Sequence, residues 1–264
     1  MGSDHVSSLA KGLEVLQAFN RERPELTISE VARIIGVTPA AARRSLLTLK
    51  DLGFIATHGK HYLLTPRVLR LSEAFLSSVS MQEVMHQFLQ EIVDRTGDSA
   101  SVGVLDGVDV VYVATVSVKR PYQLTPTVGT RYPAYASSLG HAILSASTPD
   151  VVGDVLARSE LRRFTDKTLV DRQDLLAAIK HAATTGIAGS DELLTYGVIS
   201  VAMPILDTDG QVIAAVNCAT TPTDASFGEL LETRRNLLER ARFQISEALR
   251  QHPVLAHSVR GRSQ

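Results

Sequence analysis

The sequence predicts an α+β protein of two domains, in which a helical part with a small β-hairpin precedes a longer part of helices and strands. Apolar residues recur at helical spacing through the first 80 residues. Further along, two strand patterns enclose turns that contain Asp and Gly. The length of 264 residues exceeds that of an average single domain, so two domains are expected.

Composition places the chain among ordinary globular proteins. Apolar residues make up 44% and charged residues 21%, which excludes disorder as the main state. The single cysteine, Cys218, cannot form an intramolecular disulfide, and no Cys/His cluster suggests zinc. No run of about 18 uncharged apolar residues indicates a membrane span, and no signal peptide is recognisable. We therefore expect a cytoplasmic protein without metal or cofactor.

Charge is distributed unevenly along the chain. The net charge of -1 combines +3 in residues 1–80, from ten Lys/Arg and seven Asp/Glu, with -4 in residues 81–264, from seventeen and twenty-one. A mildly basic first part is compatible with nucleic-acid binding, but it is weak support alone. The function must therefore be inferred from sequence motifs.

The first part contains the pattern of a helix-turn-helix. A first helix is expected over residues 8–20. Thr27 and Glu30 form a capping-box pattern at the start of a second helix. Thr38 and Pro39 are suited to the N-cap and first position of a third helix, which Gly53 ends.

A wing and a connecting helix follow this motif. Residues 54–57 and 62–64 are two β-prone runs around a polar tip that contains Lys60, a pattern typical of a hairpin. Thr65 and Pro66 then begin a further helix. The predicted boundaries are 1–64 for the winged helix-turn-helix and 65–80 for the linker helix.

The second part is predicted to form a sheet with helices around it. Strands are predicted over 101–105 with 108–116, and over 199–206 with 211–219, because Asp-Gly turns favour hairpins. The predicted helices cover 84–97, 138–145, 149–158, 171–185 and 229–250. This gives a second domain of the α+β class over 81–250 and a flexible tail over 251–264.

The exposed start of the third helix is the candidate DNA-reading surface. A recognition helix enters the major groove with its N-terminal part, where arginine can pair with guanine and small residues allow close approach. The alternative is that both arginines are solvated surface charges. The candidate DNA-binding residues are Thr38, Pro39, Ala40, Ala41, Arg43, Arg44, Thr48 and, on the wing, Lys60.

Several motifs in order carry a resemblance to a known family. The segments LTISEVARIIGVTPAAARRSLLTLKDLGFI, RYPAYASSLGHAILSA and DELLTYGVISVAMPILDTDGQVIAAVNCAT resemble those of IclR-family transcriptional regulators over residues 8–250. Within that family, the PAAARR and LTPRVL runs resemble the regulators of the β-ketoadipate pathway, which respond to protocatechuate, 4-hydroxybenzoate or β-ketoadipate.

The resemblance implies a GAF-like effector-binding domain behind the winged helix-turn-helix. It also implies dimers, often paired as tetramers, on double-stranded DNA, and control of catabolic genes by a small aromatic or dicarboxylic acid. Elementary chemistry agrees in part, because a helix that starts near residue 138 offers free N–H groups to a carboxylate. The effector-lining residues carried over from the family are Leu124, Ser138, Leu139, Asp191, Val198, Ser200, Asn217 and Ala219.

Some residues near this site have simpler interpretations. Ser137 and Ser138 are as well suited to helix capping as to ligand contact. Arg131 and Tyr135 at the expected pocket mouth are better explained as a surface arginine and a packed tyrosine.

Two alternative functions stay open at this point. Ser137 and His141, four residues apart, are the best candidates for a hydrolase, but no G-x-S-x-G turn or metal-ligand pair accompanies them, so an enzyme is not expected. The second domain could instead serve only for oligomerisation. In the favoured mechanism, ligand binding changes the placement of paired DNA-binding heads through the 66–78 helix.

Overall fold

A computed structural model describes residues 5–20, 22–77, 81–118 and 125–252. Its contacts divide the chain into two compact units, Met1–Ser78 and Val79–Gln264. The predicted division into four segments stays a prediction, and residues 78–80 of the linker and 253–264 of the tail lie outside the described residues. None of the described helices is long and apolar enough to span a membrane.

The first unit is a winged helix-turn-helix. Its elements, in chain order, are α1 (Ser7–Gln17), β1 (Glu25–Leu26), α2 (Ile28–Ile34), α3 (Pro39–Asp51), β2 (Ile55–His58), β3 (His61–Leu64), a single 3-10 turn (Pro66–Val68) and α4 (Leu69–Ser77). The strands form an antiparallel sheet in the order β1-β3-β2. Helices α1, α2 and α3 enclose one core with the sheet, formed by Val15, Ala18, Phe19, Leu26, Val31, Ala32, Ala42, Leu46, Leu49, Ile55 and Tyr62.

Local chemistry explains where these helices begin and end. Thr27 and Glu30 form the predicted capping box, and Thr38 caps α3 with its hydroxyl. The first helix ends at Gln17 rather than near Asn20, because the Asn20 side chain accepts hydrogen bonds from the Glu22 and Arg23 amides and fixes a turn. Strand β1 was not predicted, since two residues carry no periodicity.

The second unit is a six-stranded antiparallel sheet between helices. Its elements are α5 (Met81–Thr96), β4 (Ser99–Asp106), β5 (Asp109–Val116), β6 (Arg131–Pro133), a 3-10 turn (Ala134–Ala136), α6 (Ser138–Ser145), α7 (Pro149–Arg158), α8 (Arg172–Thr185), β7 (Ala188–Asp191), β8 (Ile199–Leu206), β9 (Val212–Thr220) and α9 (Phe227–Gln251). The strand order is β6-β5-β4-β9-β8-β7.

The two faces of this sheet bury different residues. One face packs on α5 and α9 through large apolar side chains that include Met85, Leu89, Val102, Val201 and Leu238. The other face packs on α6 and α8, and there the strands carry many small or polar residues. The polar part of this second face forms the candidate site.

The class and arrangement of the predicted elements are confirmed, while several short elements differ. Strands β6 and β7 were not predicted: the first contains Pro133, and the second, Ala-Gly-Ser-Asp, has little strand propensity and is held by its pairing with β8. The last helix begins at Phe227 because Ser226 and Glu229 form a second capping box.

Candidate functional site

The start of α3 presents the predicted DNA contacts on one exposed face. Ala42, Leu46 and Leu49 are buried on the opposite side and anchor the helix to the core. The Thr38 hydroxyl accepts a hydrogen bond from the Ala41 amide at 3.3 Å, so this residue also fixes the start of the helix. The exposed members are Thr38, Pro39, Ala40, Arg43, Arg44 and Thr48, while Ala41 is half-buried.

The two arginines of this face are available for a ligand. Within the described residues, neither Arg43 nor Arg44 forms an ion pair. The Thr48 hydroxyl donates to the Arg44 carbonyl at 3.0 Å and keeps its acceptor capacity. Two free guanidinium groups on a helix start are suited to phosphate or guanine.

The wing brings a further positive charge to the end of a short hairpin. His58 pairs with His61 across the strands, and Gly59 and Lys60 form the exposed tip. The Lys60 side chain is suited to a phosphate contact, which positions a protein on DNA without reading its sequence.

In the second unit, a small cavity lies where strands β4, β5 and β9 expose polar residues on the α6 face. Its volume is about 60 Å³. Three predicted residues line it: Val198, Asn217 and Ala219. The lining residues that sequence reasoning missed are Ser99, Ser101, Tyr112, Val118, Thr125, Pro126 and Thr220.

A signal for some of the missed residues was present in the sequence. In β4, Ser99, Ser101 and Gly103 alternate with the core residues Ala100 and Val102. This period of two predicts a strand with one apolar and one small polar face. Serines on a strand whose residues are nearly all buried indicate a polar interior site, because buried hydroxyls need partners.

Asn217 is the least satisfied buried group of this cavity. Its side chain is 4% exposed, and Oδ1 has no hydrogen-bond partner among the described residues. The register places Ser101 directly opposite it on β4. The Ser101 hydroxyl lies 3.0 Å from Thr115 Oγ1. A buried acceptor without a donor costs free energy unless a ligand or water supplies the donor.

The serines at the start of α6 have separate roles. Ser137 caps the helix, because its Oγ accepts a hydrogen bond from the Gly140 amide at 3.0 Å. The Ser138 Oγ instead lies 2.8 Å from Ser200 Oγ, and both side chains are buried. Ser200 pairs in register with the cavity residue Ala219, so the Ser138–Ser200 pair adjoins the cavity.

Two further predicted residues, Leu139 and Asp191, are not on the cavity wall. Leu139 is fully buried in the apolar cluster around α6. The Asp191 carboxylate forms an ion pair with Lys167 at 2.9 Å and is partly exposed. Leu124 lies outside the described residues.

Arg131 and Tyr135 follow their simpler interpretations. Arg131 forms surface ion pairs with Asp106 at 2.7 Å and Asp109 at 3.3 Å. Tyr135 is 1% exposed, and its hydroxyl accepts a hydrogen bond from the Arg162 amide at 2.7 Å. Both side chains therefore support the fold.

The His141 imidazole is also occupied by a structural contact. It is completely buried, and burial lowers its pKa below the ordinary value. Its Nε2 lies 2.7 Å from the Tyr135 carbonyl oxygen, so Nε2 carries the proton and donates it to that bond. Burial likewise raises the pKa of the Cys218 thiol, which disfavours the reactive thiolate.

Comparison with known proteins agrees with both units. Residues 8–59 match the family described as the IclR helix-turn-helix domain, and residues 73–247 match the bacterial transcriptional regulator IclR C-terminal family. A curated relative is the Pca regulon regulatory protein of Pseudomonas putida, with 37% identity over 82% of this chain and 75% of the relative. This relative is a regulator rather than an enzyme.

Solved structures show the same architecture. A protein of Rhodococcus sp. RHA1 classed as a transcriptional regulator is 38% identical and superposes with a TM-score of 0.74, over 94% of this chain and 99% of that one. The inducer-binding domain of an Acinetobacter PobR double mutant, solved with 3-hydroxybenzoic acid, is 27% identical with a TM-score of 0.58, over 62% and 97%. The chain therefore belongs to the IclR family of bacterial transcriptional regulators.

Proposed function

We propose that this regulator binds operator DNA through α3 and the wing, and senses a small aromatic carboxylic acid in the cavity of its second unit. The observation that carries the sensing role is the buried Oδ1 of Asn217 on a polar cavity wall, which has no hydrogen-bond partner in the described part of the chain. An interface used only for oligomerisation gives no reason to bury an unsatisfied polar group inside one chain.

The surroundings of the cavity are suited to an acid with an apolar body. The amino end of α6 is a favourable place for negative charge, and the Ser138–Ser200 hydroxyl pair lies beside it. Val118, Val198 and Tyr112 supply apolar wall. Few directional polar groups within apolar walls are typical of small-molecule sites.

The size of the cavity implies that binding changes the protein. A volume of about 60 Å³ has room for about two waters at their share of liquid volume. An aromatic acid is larger than this volume, and we propose that it binds a wider state of the cavity. A ligand that prefers one of two states shifts their populations, which is the requirement for a sensor.

The class of ligand is supported by the similar PobR domain, which was solved with 3-hydroxybenzoic acid. We therefore propose 3-hydroxybenzoate, 4-hydroxybenzoate, protocatechuate and benzoate as the first panel, with β-ketoadipate as the dicarboxylic arm. Thermal unfolding in the presence of each acid tests the proposal, because a ligand selective for the folded state raises the melting temperature.

The panel separates the two remaining interpretations. A rise with at least one acid, saturating with concentration, supports the sensor. No rise with any acid, together with intact operator binding, favours a second unit that serves only for oligomerisation.

Binding to an operator with two half-sites needs two recognition helices, one from each of two copies of the chain. We propose a homodimer or a pair of dimers on a two-half-site operator, since helix-turn-helix dimers place two recognition helices about 34–36 Å apart on DNA. Light scattering on purified protein, followed by gel shifts with one and with two half-sites, measures both properties. Equal affinity for the two DNAs would argue against the dimer.

We also propose that the chain has no hydrolase activity and works in the cytoplasm, where its DNA target lies. The Ser137 hydroxyl is used as a helix cap, and the His141 Nε2 donates to a carbonyl. Neither group is thus arranged as a nucleophile and base pair. Absence of turnover of aryl and alkyl ester substrates by purified protein checks this.

A further inference from the structure

Gln82 joins the first turn of α5 to the strand beside the cavity. Its Oε1 accepts a hydrogen bond from the Thr115 amide at 2.9 Å, and its Nε2 donates to the Thr115 carbonyl at 3.1 Å. A side-chain amide offers the same donor and acceptor as a peptide group. The outer edge of β5 pairs with β6 only over residues 109–111, so Gln82 supplies the edge pairing at Thr115.

Thr115 also belongs to the hydroxyl network of the cavity. Its Oγ1 lies 3.0 Å from Ser101 Oγ and 3.1 Å from Ser117 Oγ. Ser101 lines the cavity directly opposite Asn217. A ligand that takes a hydrogen bond from Ser101 changes the bonding of Thr115, because the donor direction in a hydroxyl chain can reverse as a unit.

The strand can deform at this place. The register of β4 and β5 shifts between Val102 and Gly103, and Val113 is the extra residue on β5. A bulge interrupts the ladder and lets the strand bend locally. The bulge lies two residues before Thr115. Widening of the cavity can therefore move the strand at this point.

The body of α5 is fixed, whereas its first turn is not equally anchored in the core. Met85, Leu89 and Ile92 are completely buried and hold the helix in the core. Gln82, by contrast, is only half-buried. A displacement of Thr115 is therefore transmitted to the start of the helix through these two hydrogen bonds.

This start lies next to the junction of the two units along the chain, since the first unit ends at Ser78. We propose that Gln82 is a positioning residue that couples occupancy of the cavity to the segment joining the two units. The proposal rests on the proposed function. It assigns the regulation of that site to one side chain that touches neither acid nor DNA.

The test is a comparison of acid binding and DNA response in Gln82→Leu, which has a similar volume and neither hydrogen bond. The matched control is Gln90→Leu on the same helix, whose side chain bonds Asp94 instead. Calorimetry measures acid affinity, using the panel member that stabilises the wild type most. Gel shifts measure the ratio of operator affinities with and without that acid.

We expect Gln82→Leu to bind operator as wild type does without acid, and to bind the acid within about threefold. Its acid-induced ratio should fall by about fivefold or to unity, since allosteric couplings are typically about 5–150-fold. Gln90→Leu should keep the full ratio. Thr115→Val, which breaks the hydroxyl link but keeps the backbone pair with Gln82, should lose the response as well and covers the case in which Gln82→Leu folds poorly.

The outcomes separate the two proposals. A wild type whose operator affinity ignores every acid that it binds overturns the proposed function and the coupling with it. A responsive wild type together with Gln82→Leu and Thr115→Val variants that respond as strongly overturns the coupling alone. So does a Gln90→Leu variant that loses the response equally.

Discussion

The two units place their candidate sites in opposite surroundings. The candidate DNA-binding residues of α3 and its N-cap come from one continuous stretch, Thr38 to Thr48, and nearly all are exposed. The cavity residues come from segments between Ser99 and Thr220 and lie mostly within the sheet. The candidate DNA-binding site is thus a surface of the first unit, whereas the candidate effector site lies largely within the second unit.

This difference separates function from stability in the first unit and combines them in the second. Arg43 and Arg44 contribute nothing to a core, so their loss should weaken DNA binding without unfolding the protein. Around the cavity, nearly all of the lining residues are buried or half-buried. Except at Asn217, whose Oδ1 has no partner among the described residues, a change there is expected to alter both the free energy of unfolding and the response to acid.

The largest expected effect comes from Gly140→Ala on α6. A Cβ at this position would lie 2.1 Å from the Ala134 carbonyl oxygen, which is backbone and cannot easily move. We expect a loss of about 3 kcal/mol in the free energy of unfolding, or on the order of 10 °C in melting temperature. Chemical and thermal unfolding measure it.

Gly153→Ala is the matched control, since a Cβ there meets nothing within 4 Å in the middle of α7. It should be neutral or stabilise by about 0.5–1 kcal/mol. Equal stability of the two variants would show that α6 is not fixed against the Ala134 turn, and would weaken the contrast between the units.

The second-largest effect is expected from Arg44→Ala on α3. If the guanidinium reads a base, specific operator binding should weaken by roughly 1–3 kcal/mol, while a phosphate contact would mainly lower the salt dependence. The melting temperature should not change, because the side chain is exposed and has no ion pair among the described residues. Gel shifts with specific and random DNA over a salt series measure both.

Arg158→Ala is the control for charge alone. Arg158 is exposed on α7 and pairs with Asp154. It should leave operator affinity unchanged. Wild-type affinity after loss of both Arg43 and Arg44 would contradict the assignment of α3 as the reading helix.

A smaller effect is expected from acid pH on the second unit. Burial lowers the pKa of His141 in the folded state below its unfolded value of about 6.5. The stability is therefore fully present above about pH 6.5 and falls as pH drops below it, because the unfolded chain then binds the additional proton. The slope from this group is at most about 1.4 kcal/mol per pH unit.

Denaturant unfolding at several pH values from 8 to 5, read by a probe in the second unit, tests this. His141→Gln keeps an N–H donor toward Tyr135 but does not titrate, so its profile should be flatter below about pH 6.5. An unchanged profile would mean that His141 is not the group responsible.

The smallest effect on stability is expected from Asn217→Val. Valine suits a buried strand position and removes the unpartnered Oδ1, so the free energy of unfolding should stay equal or rise by up to about 1 kcal/mol. The acid-induced rise in melting temperature should disappear. Asn236→Ala, at an exposed position on α9, is the control that keeps the rise.

The Asn217→Val variant tests whether function and stability can be separated at the cavity. Loss of the acid response without loss of stability identifies Asn217 as a group kept for binding. A strongly destabilised Asn217→Val that still responds to acid would show that the side chain supports the fold instead.

Much of the fold could be predicted from local signals. The capping pair Thr27 and Glu30, the Thr38-Pro39 start and Gly53 at the end of α3 are short-range features, and each is found as expected. Gly53 has φ of +80°, a conformation that side chains disfavour. The hairpins were predictable because Asp-Gly turns fix their geometry within a few residues.

The cavity was only partly predictable. Asn217 and Val198 came from family resemblance, and both line the cavity. Ser101 was overlooked, although its alternation with Ala100 and Val102 was visible. Tyr112 and Gln82 gave no local signal, because their positions depend on pairings across the sheet and on a helix that packs against it.

The sequence by itself determined the winged helix-turn-helix, its arginine-bearing face and the two hairpins and main helices behind it, because caps, turns and periodicity act within a few residues. Only the tertiary structure decided which polar groups meet. In that structure the Ser138 hydroxyl bonds Ser200 instead of capping the helix, and Asp191 forms an ion pair with Lys167. The Asn217 oxygen has no donor among the residues that the structure describes. The physical reason is that strand register and helix packing, which join residues far apart in the chain, set these distances.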